Sequence, residues 1–270
     1  MSVFFERIAL SQDAQNTLLC IGLDPDPAKF PRPIRRCSQP IFEFNKAIID
    51  ATSDLVCCYK PQIAHYSALG AESALQQTID YIHDRKLPVL LDAKRGDVGN
   101  TAEKYAIELF ERYQADAITI NPYLGADAMA PYLEYQDKGI FILCRTSNPG
   151  GADLQNLVLK NGKHLYEHVA QEAARVWNRN GNVGLVVGAT QPSELARIRQ
   201  LVGSMTLLIP GVGAQGGDIA SSVAAGQGGG MLVSSSRAIL YASSEADFAG
   251  RARAAAIITR DKINSFRPAA

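Results

Sequence analysis

Eight short apolar runs recur along the chain, each closed by a polar residue or by Gly or Pro. They occupy 17–24 (TLLCIGLD), 55–62 (LVCCYKPQ), 87–94 (LPVLLDAK), 115–122 (ADAITINP), 139–146 (GIFILCRT), 183–190 (VGLVVGAT), 205–212 (MTLLIPGV) and 230–237 (GMLVSSSR). Their residues are mainly aliphatic or β-branched, without polar alternation, as in strands buried on both faces of a parallel sheet. Helix-length segments separate them, among them 41–53, 71–85, 100–113, 162–179, 191–201 and 245–263. Gln191-Pro192-Ser193-Glu194 reads as a helix opening, since Pro is tolerated in the first turn. Strands and helices in alternation predict α/β architecture, and eight of each close a (β/α)₈ TIM barrel.

The 270 residues suit one such barrel, which typically needs ~250. No linker, low-complexity segment or strong internal repeat interrupts the series, so 1–270 is expected to be a single domain. The surplus length falls in a Pro-rich segment at 25–37 and a polar, Gly-containing segment at 148–161. Both follow strand C-termini, the catalytic face of a barrel, where long loops act as walls or lids.

Lys+Arg and Asp+Glu are both 27, so the formal net charge is zero. That removes the broad basic field that nucleic acids and anionic membranes require, but leaves room for a local cationic pocket. No apolar stretch reaches the ~18 residues needed to span a bilayer. The N-terminus lacks a basic segment followed by a long apolar one, so a cytoplasmic location is expected. The five cysteines show no CxxC and no zinc-ligand spacing, and four of them lie inside three of the apolar runs. They read as buried thiols in a reducing compartment.

Candidate chemistry gathers at the ends of the runs. Asp92 and Lys94, two apart at the end of the third, project from one face if the segment is extended, and Asp97 follows past Gly96. Two carboxylates flanking an ammonium keep Lys94 protonated and aimed, which suits a general acid. Lys60 closes the second run. It would lie beside Asp92 if those strands are neighbours, although a lysine there can also simply reach the rim. Asp24 closes the first run and can initiate a turn or accept hydrogen bonds from sugar hydroxyls. Pro210–Asp218 (PGVGAQGGD), one run before Ser234-Ser235-Ser236-Arg237, has the glycines and the arginine of a phosphate cradle. Arg145–Gly150 (RTSNPG) offers hydroxyl and amide groups that suit a planar polar ring, or plain turn chemistry.

Taken in order, GLDPD, YKPQ, LLDAKRGDVGNTA, RTSNPG, PGVGAQGGD and SSSRAI resemble the orotidine 5′-phosphate decarboxylase family, in its longer bacterial branch. The resemblance implies conversion of orotidine 5′-monophosphate to UMP and CO₂ without metal or cofactor. It implies that Lys94 protonates C6, that Asp92 lies against the substrate carboxylate, and that Lys60 bridges Asp92 and the ribose. Asp24 would hold a ribose hydroxyl, Ser147 the pyrimidine, and Gln215 and Arg237 the 5′-phosphate, with a backbone contact from Ser236. The family often has Gly at that last position. Asp97, with Thr101, would reach into the neighbour's site of a homodimer. Sister barrels that act on keto-sugar phosphates share the D-x-K-x-x-D array but use Mg²⁺. A catalytically silent nucleotide-binding barrel is the rival of a different class.

Overall fold

The computed structural model describes residues 2–212 and 217–267. Among them, eight parallel strands alternate with helices: β1 (Leu19–Leu23), β2 (Cys58–Pro61), β3 (Leu90–Arg95), β4 (Ala117–Ile120), β5 (Gly139–Arg145), β6 (Val183–Val187), β7 (Leu207–Pro210) and β8 (Met231–Ser235). Seven strands fall inside their apolar runs, and β3 passes the end of its run by one residue, Arg95. The sheet order is β2-β1-β8-β7-β6-β5-β4-β3. Single bridges Tyr59–Val89 and Gln62–Asp92 join β2 to β3 and close the barrel.

The main helices are α1 (Val3–Gln15), α2 (Pro40–Thr52), α3 (Glu72–Asp84), α4 (Gly99–Ile107), α5 (Ala126–Leu133), α6 (Leu165–Glu172), α7 (Pro192–Val202), α8 (Ile219–Gly226) and α9 (Phe248–Asn264). Both α4 and α6 run on into a π-helical turn. Helix α7 begins at Pro192, where the missing N–H costs nothing. Among the described residues no helix is long and apolar enough to cross a membrane.

Two apolar layers hold the barrel. The outer layer packs strand residues such as Ile21, Tyr59 and Ile142 against the inner faces of α2 to α9. The inner layer takes a side chain from every strand: Cys20, Cys58, Leu90, Ala117, Phe141, Val186, Leu208 and Leu232. Helix α1 completes it from the N-terminal end, burying Phe4, Phe5 and Ile8. Phe4 and Phe5 meet Phe141 edge-to-face, with ring centroids 6.1 and 5.7 Å apart. The close approach depends on Gly139, where an added Cβ would lie 2.3 Å from the Phe4 ring. Removing a buried ring from such a plug costs about 3–5 kcal/mol. Phe4→Ala is therefore expected to lower the thermal midpoint by roughly 6–20 °C, while kcat below the transition stays near wild type. Calorimetry with a parallel rate measurement checks both.

Candidate active site

At the opposite end of the barrel lies a cavity of about 650 Å³. Its floor includes Leu143, Val186 and Leu208, and its walls carry Asp24, Lys60, Asp92, Lys94, Ser147, Ser236 and Arg237. Strand ends supply nearly all of these groups, so the barrel itself sets their spacing.

The strongest feature is a chain of charge. Lys60 Nζ lies 3.0 Å from Asp92 Oδ2, and Lys94 Nζ lies 2.6 Å from Asp92 Oδ1. Closure beside the site fixes the first pair: the Ile63 N–H donates to the Asp92 carbonyl, which sets β2 against β3. Lys60 and Asp92 are buried, whereas the Lys94 side chain is 43% exposed and enters the cavity from its rim. Burial alone would raise the Asp92 pKa, but Lys60 and Lys94, with hydrogen bonds from Lys94 and Thr119, hold it well below the usual carboxylate range. Burial likewise works against the Lys60 ammonium, and the charges of Asp92 and Asp24 overcome it, leaving its pKa raised.

These shifts set a pH window. The depressed Asp92 stabilises the fold above its unfolded pKa and loses that contribution as pH falls through its lower folded value. The raised Lys60 contributes below its unfolded pKa and loses it as pH rises through its higher folded value. The pair is therefore expected to contribute evenly between about pH 4 and pH 10. Asp92→Asn strands the buried ammonium and is expected to cost about 3–5 kcal/mol at neutral pH. Urea unfolding of both proteins across pH 3–9 measures this; a cost under about 1 kcal/mol at neutral pH would contradict it.

Alternation along β3 does not by itself explain how Asp92 and Lys94 meet. Leu91 pairs with Ile118 and Arg95 with Ile120, so 92–94 bulge out opposite the single residue Thr119. Lys94 takes a left-handed backbone, φ 48°. Bulges of this kind re-aim side chains beside sites. Thr119, on β4, donates to Asp92 Oδ1 at 2.8 Å.

Ser236 follows β8, and its hydroxyl lies 2.6 Å from Asp24 Oδ2. Gly22 permits this approach, because a Cβ there would stand 2.8 Å from the Ser236 Cβ. The other Asp24 oxygen is buried without a hydrogen-bond partner among the described residues. Tyr241 ties the loop down, donating to the Asp24 carbonyl and accepting from the Asp26 N–H, at 2.8 and 2.7 Å. Beyond β5, Gln155 brackets Thr146 through its backbone N–H and its hydroxyl, both at 2.9 Å, and so fixes the turn that presents Ser147. Both long segments contribute to the wall, Lys29 from the first and Asn148 from the second.

Arg237 is exposed at the cavity edge. Gln215 lies outside the described residues. Asp97 and Thr101 do not line the cavity: Asp97 caps the Val98 N–H at 2.9 Å, and Thr101 is exposed on α4. Asn148 belongs to the RTSNPG segment expected at a planar ring, whereas nothing in the sequence singled out Thr119 or Lys29. Among the described residues no group of three His, Cys, Asp or Glu side chains is placed to hold a metal ion.

A sequence model described as the orotidine 5′-phosphate decarboxylase / HUMPS family matches residues 17–252, nearly the whole barrel. The chain belongs to this family. Orotidine 5′-phosphate decarboxylases of Azoarcus sp. and Ralstonia pickettii are 57% and 56% identical to it, over 98% of this chain and 99% of theirs. The solved structure of Leishmania donovani OMP decarboxylase superposes with a TM-score of 0.85 at 39% identity, covering both chains in full. Membership accounts for the barrel and for the motif order along it.

Proposed function

We propose that the protein is a carbon–carbon lyase that converts orotidine 5′-monophosphate to UMP and CO₂ in de novo pyrimidine biosynthesis, without metal or cofactor. The observation that carries this reading is the Lys60–Asp92–Lys94 chain at the mouth of the barrel. The C6–carboxylate bond breaks, its electron pair stays on C6, and CO₂ leaves. Lys94 stabilises the developing carbanion by its charge and then gives C6 a proton. Asp92 faces the substrate carboxylate and, with Lys60, holds Lys94 charged and directed. Lys60 also reaches the ribose.

Asp24 accepts from a ribose hydroxyl; its unpartnered buried oxygen supports this role. Ser147 meets the pyrimidine. Arg237 and Gln215 take the 5′-phosphate, helped by the Ser236 backbone. Asp97 and Thr101 lie outside the lining of their own cavity, as residues would that complete the site of a second copy in a homodimer. Beyond that second copy the partner is the nucleotide, with no nucleic acid and no membrane, and the location is cytoplasmic.

The test is the absorbance of orotidine 5′-monophosphate mixed with the purified protein, with and without excess EDTA. Loss of substrate absorbance unaffected by EDTA is expected. Inactivity towards the nucleotide, with turnover of a keto-sugar phosphate that needs Mg²⁺, would replace this reading with that of the sister barrels. Nucleotide binding without turnover would leave a binding protein.

A further inference from the structure

Between Leu91 and Arg95 the β3–β4 ladder is interrupted, and three residues of β3 face one of β4. Such an interruption strips the bulged residues of their ladder partners. Here a side chain replaces the ladder. The Thr119 hydroxyl accepts from the Ala93 N–H at 3.0 Å and from the Lys94 N–H at 2.9 Å. It donates to Asp92 Oδ1 at 2.8 Å. A hydroxyl has one proton and two acceptor positions. With both acceptor positions filled by backbone N–H groups, the proton is left for Asp92. Thr119 is buried and lines the cavity, so the arrangement is held inside the site.

The geometry points to Thr119 as a positioning residue for the reaction, one that acts on both ends of the Asp92–Lys94 pair. Through the two N–H groups it holds the left-handed turn at Lys94, a conformation disfavoured for a side chain other than glycine. Through its proton it shares the Asp92 oxygen that Lys94 also uses, and so fixes where that oxygen sits. Removing the hydroxyl frees two backbone donors and one carboxylate position together. The ammonium then loses its aim, while the phosphate and ribose contacts, on other strands, stay in place. The inference rests on the decarboxylase reading, which wild-type turnover tests separately.

Thr119→Val keeps shape and removes the hydroxyl. Steady-state rates and UMP affinity by calorimetry are compared for wild type, Thr119→Val and Thr119→Ser. A misplacement of the order of 1 Å costs about 10²-fold, so kcat is expected to fall about 10²-fold in the valine variant, with KM and UMP affinity within about threefold. Serine restores the hydroxyl and is expected to return kcat to within about threefold of wild type. Should the valine variant fail to fold, Thr119→Ser and Thr119→Cys form a second pair of similar volume. A thiol accepts N–H groups weakly, so cysteine is expected to be the slow member by about 10²-fold. Near-normal kcat in the valine variant would overturn the proposal. So would equal losses in serine and valine, equal rates in serine and cysteine, or UMP affinity falling in step with kcat.

Discussion

Lys94→Ala is expected to lower kcat for orotidine 5′-monophosphate by about 10⁴-fold or more, because proton donation and charge stabilisation are lost together. Binding of UMP should stay within about tenfold, since the phosphate and ribose groups sit on other strands. The fold should survive as well. The Lys94 side chain is 43% exposed, and Asp92 keeps its partner Lys60 at 3.0 Å when Lys94 is removed. Lys60→Ala differs for the same reason: it leaves a buried carboxylate short of its buried counter-charge and should cost stability as well as rate, about 3–5 kcal/mol. Single-turnover rates with UMP calorimetry separate the two variants. Turnover of Lys94→Ala within about tenfold of wild type would remove Lys94 from the proton-donor role.

The second large effect is expected from mixing two dead enzymes. Asp97 lies outside its own cavity, and its carboxylate caps Val98 at the surface. If Asp97 completes a second copy's site, Asp97→Asn should be nearly as inactive as Lys94→Ala. Equal parts of the two variants, allowed to exchange subunits, give mixed dimers in which one site carries both defects and the other neither. Random pairing across a two-fold axis makes about half the dimers mixed, so activity should return to about one quarter of wild type. A mixture no more active than its components would place Asp97 in its own subunit's chemistry or in none.

The strands were legible because a strand buried on both faces carries an unbroken apolar run, and a barrel leaves every strand in that state. Helix α1 was not legible. Phe4, Phe5 and Ile8 are buried, but Val3 and Leu10 are 54% and 70% exposed, so apolar residues stand on both faces and blur the helical period. Its burial depends on a ring of side chains drawn from eight distant strands, which no local window contains. Helix α5 carries Pro131 inside it, a residue that locally argues for a break.

The charged residues of the site were legible for a different reason. Lysine and aspartate at the end of an apolar run are conspicuous, and the family resemblance gave them roles. Thr119 was hidden, since a β-branched residue inside ADAITINP is what any strand would use. Only the pairing of three β3 residues against one on β4 shows its hydroxyl standing in for a ladder. The same bulge explains why two-residue spacing brought Asp92 and Lys94 together for an incomplete reason. Extended alternation assumes negative φ throughout, and Lys94 does not have it.

Decarboxylation with protonation at C6 is tested most directly by running the reaction in D₂O and following the carbon and the label together. Each orotidine 5′-monophosphate consumed should yield one CO₂ and one UMP carrying a single deuterium at C6, and Lys94→Ala should yield neither. A demonstrably folded protein that leaves the nucleotide unchanged, or releases CO₂ without C6-labelled UMP, would contradict the proposed chemistry.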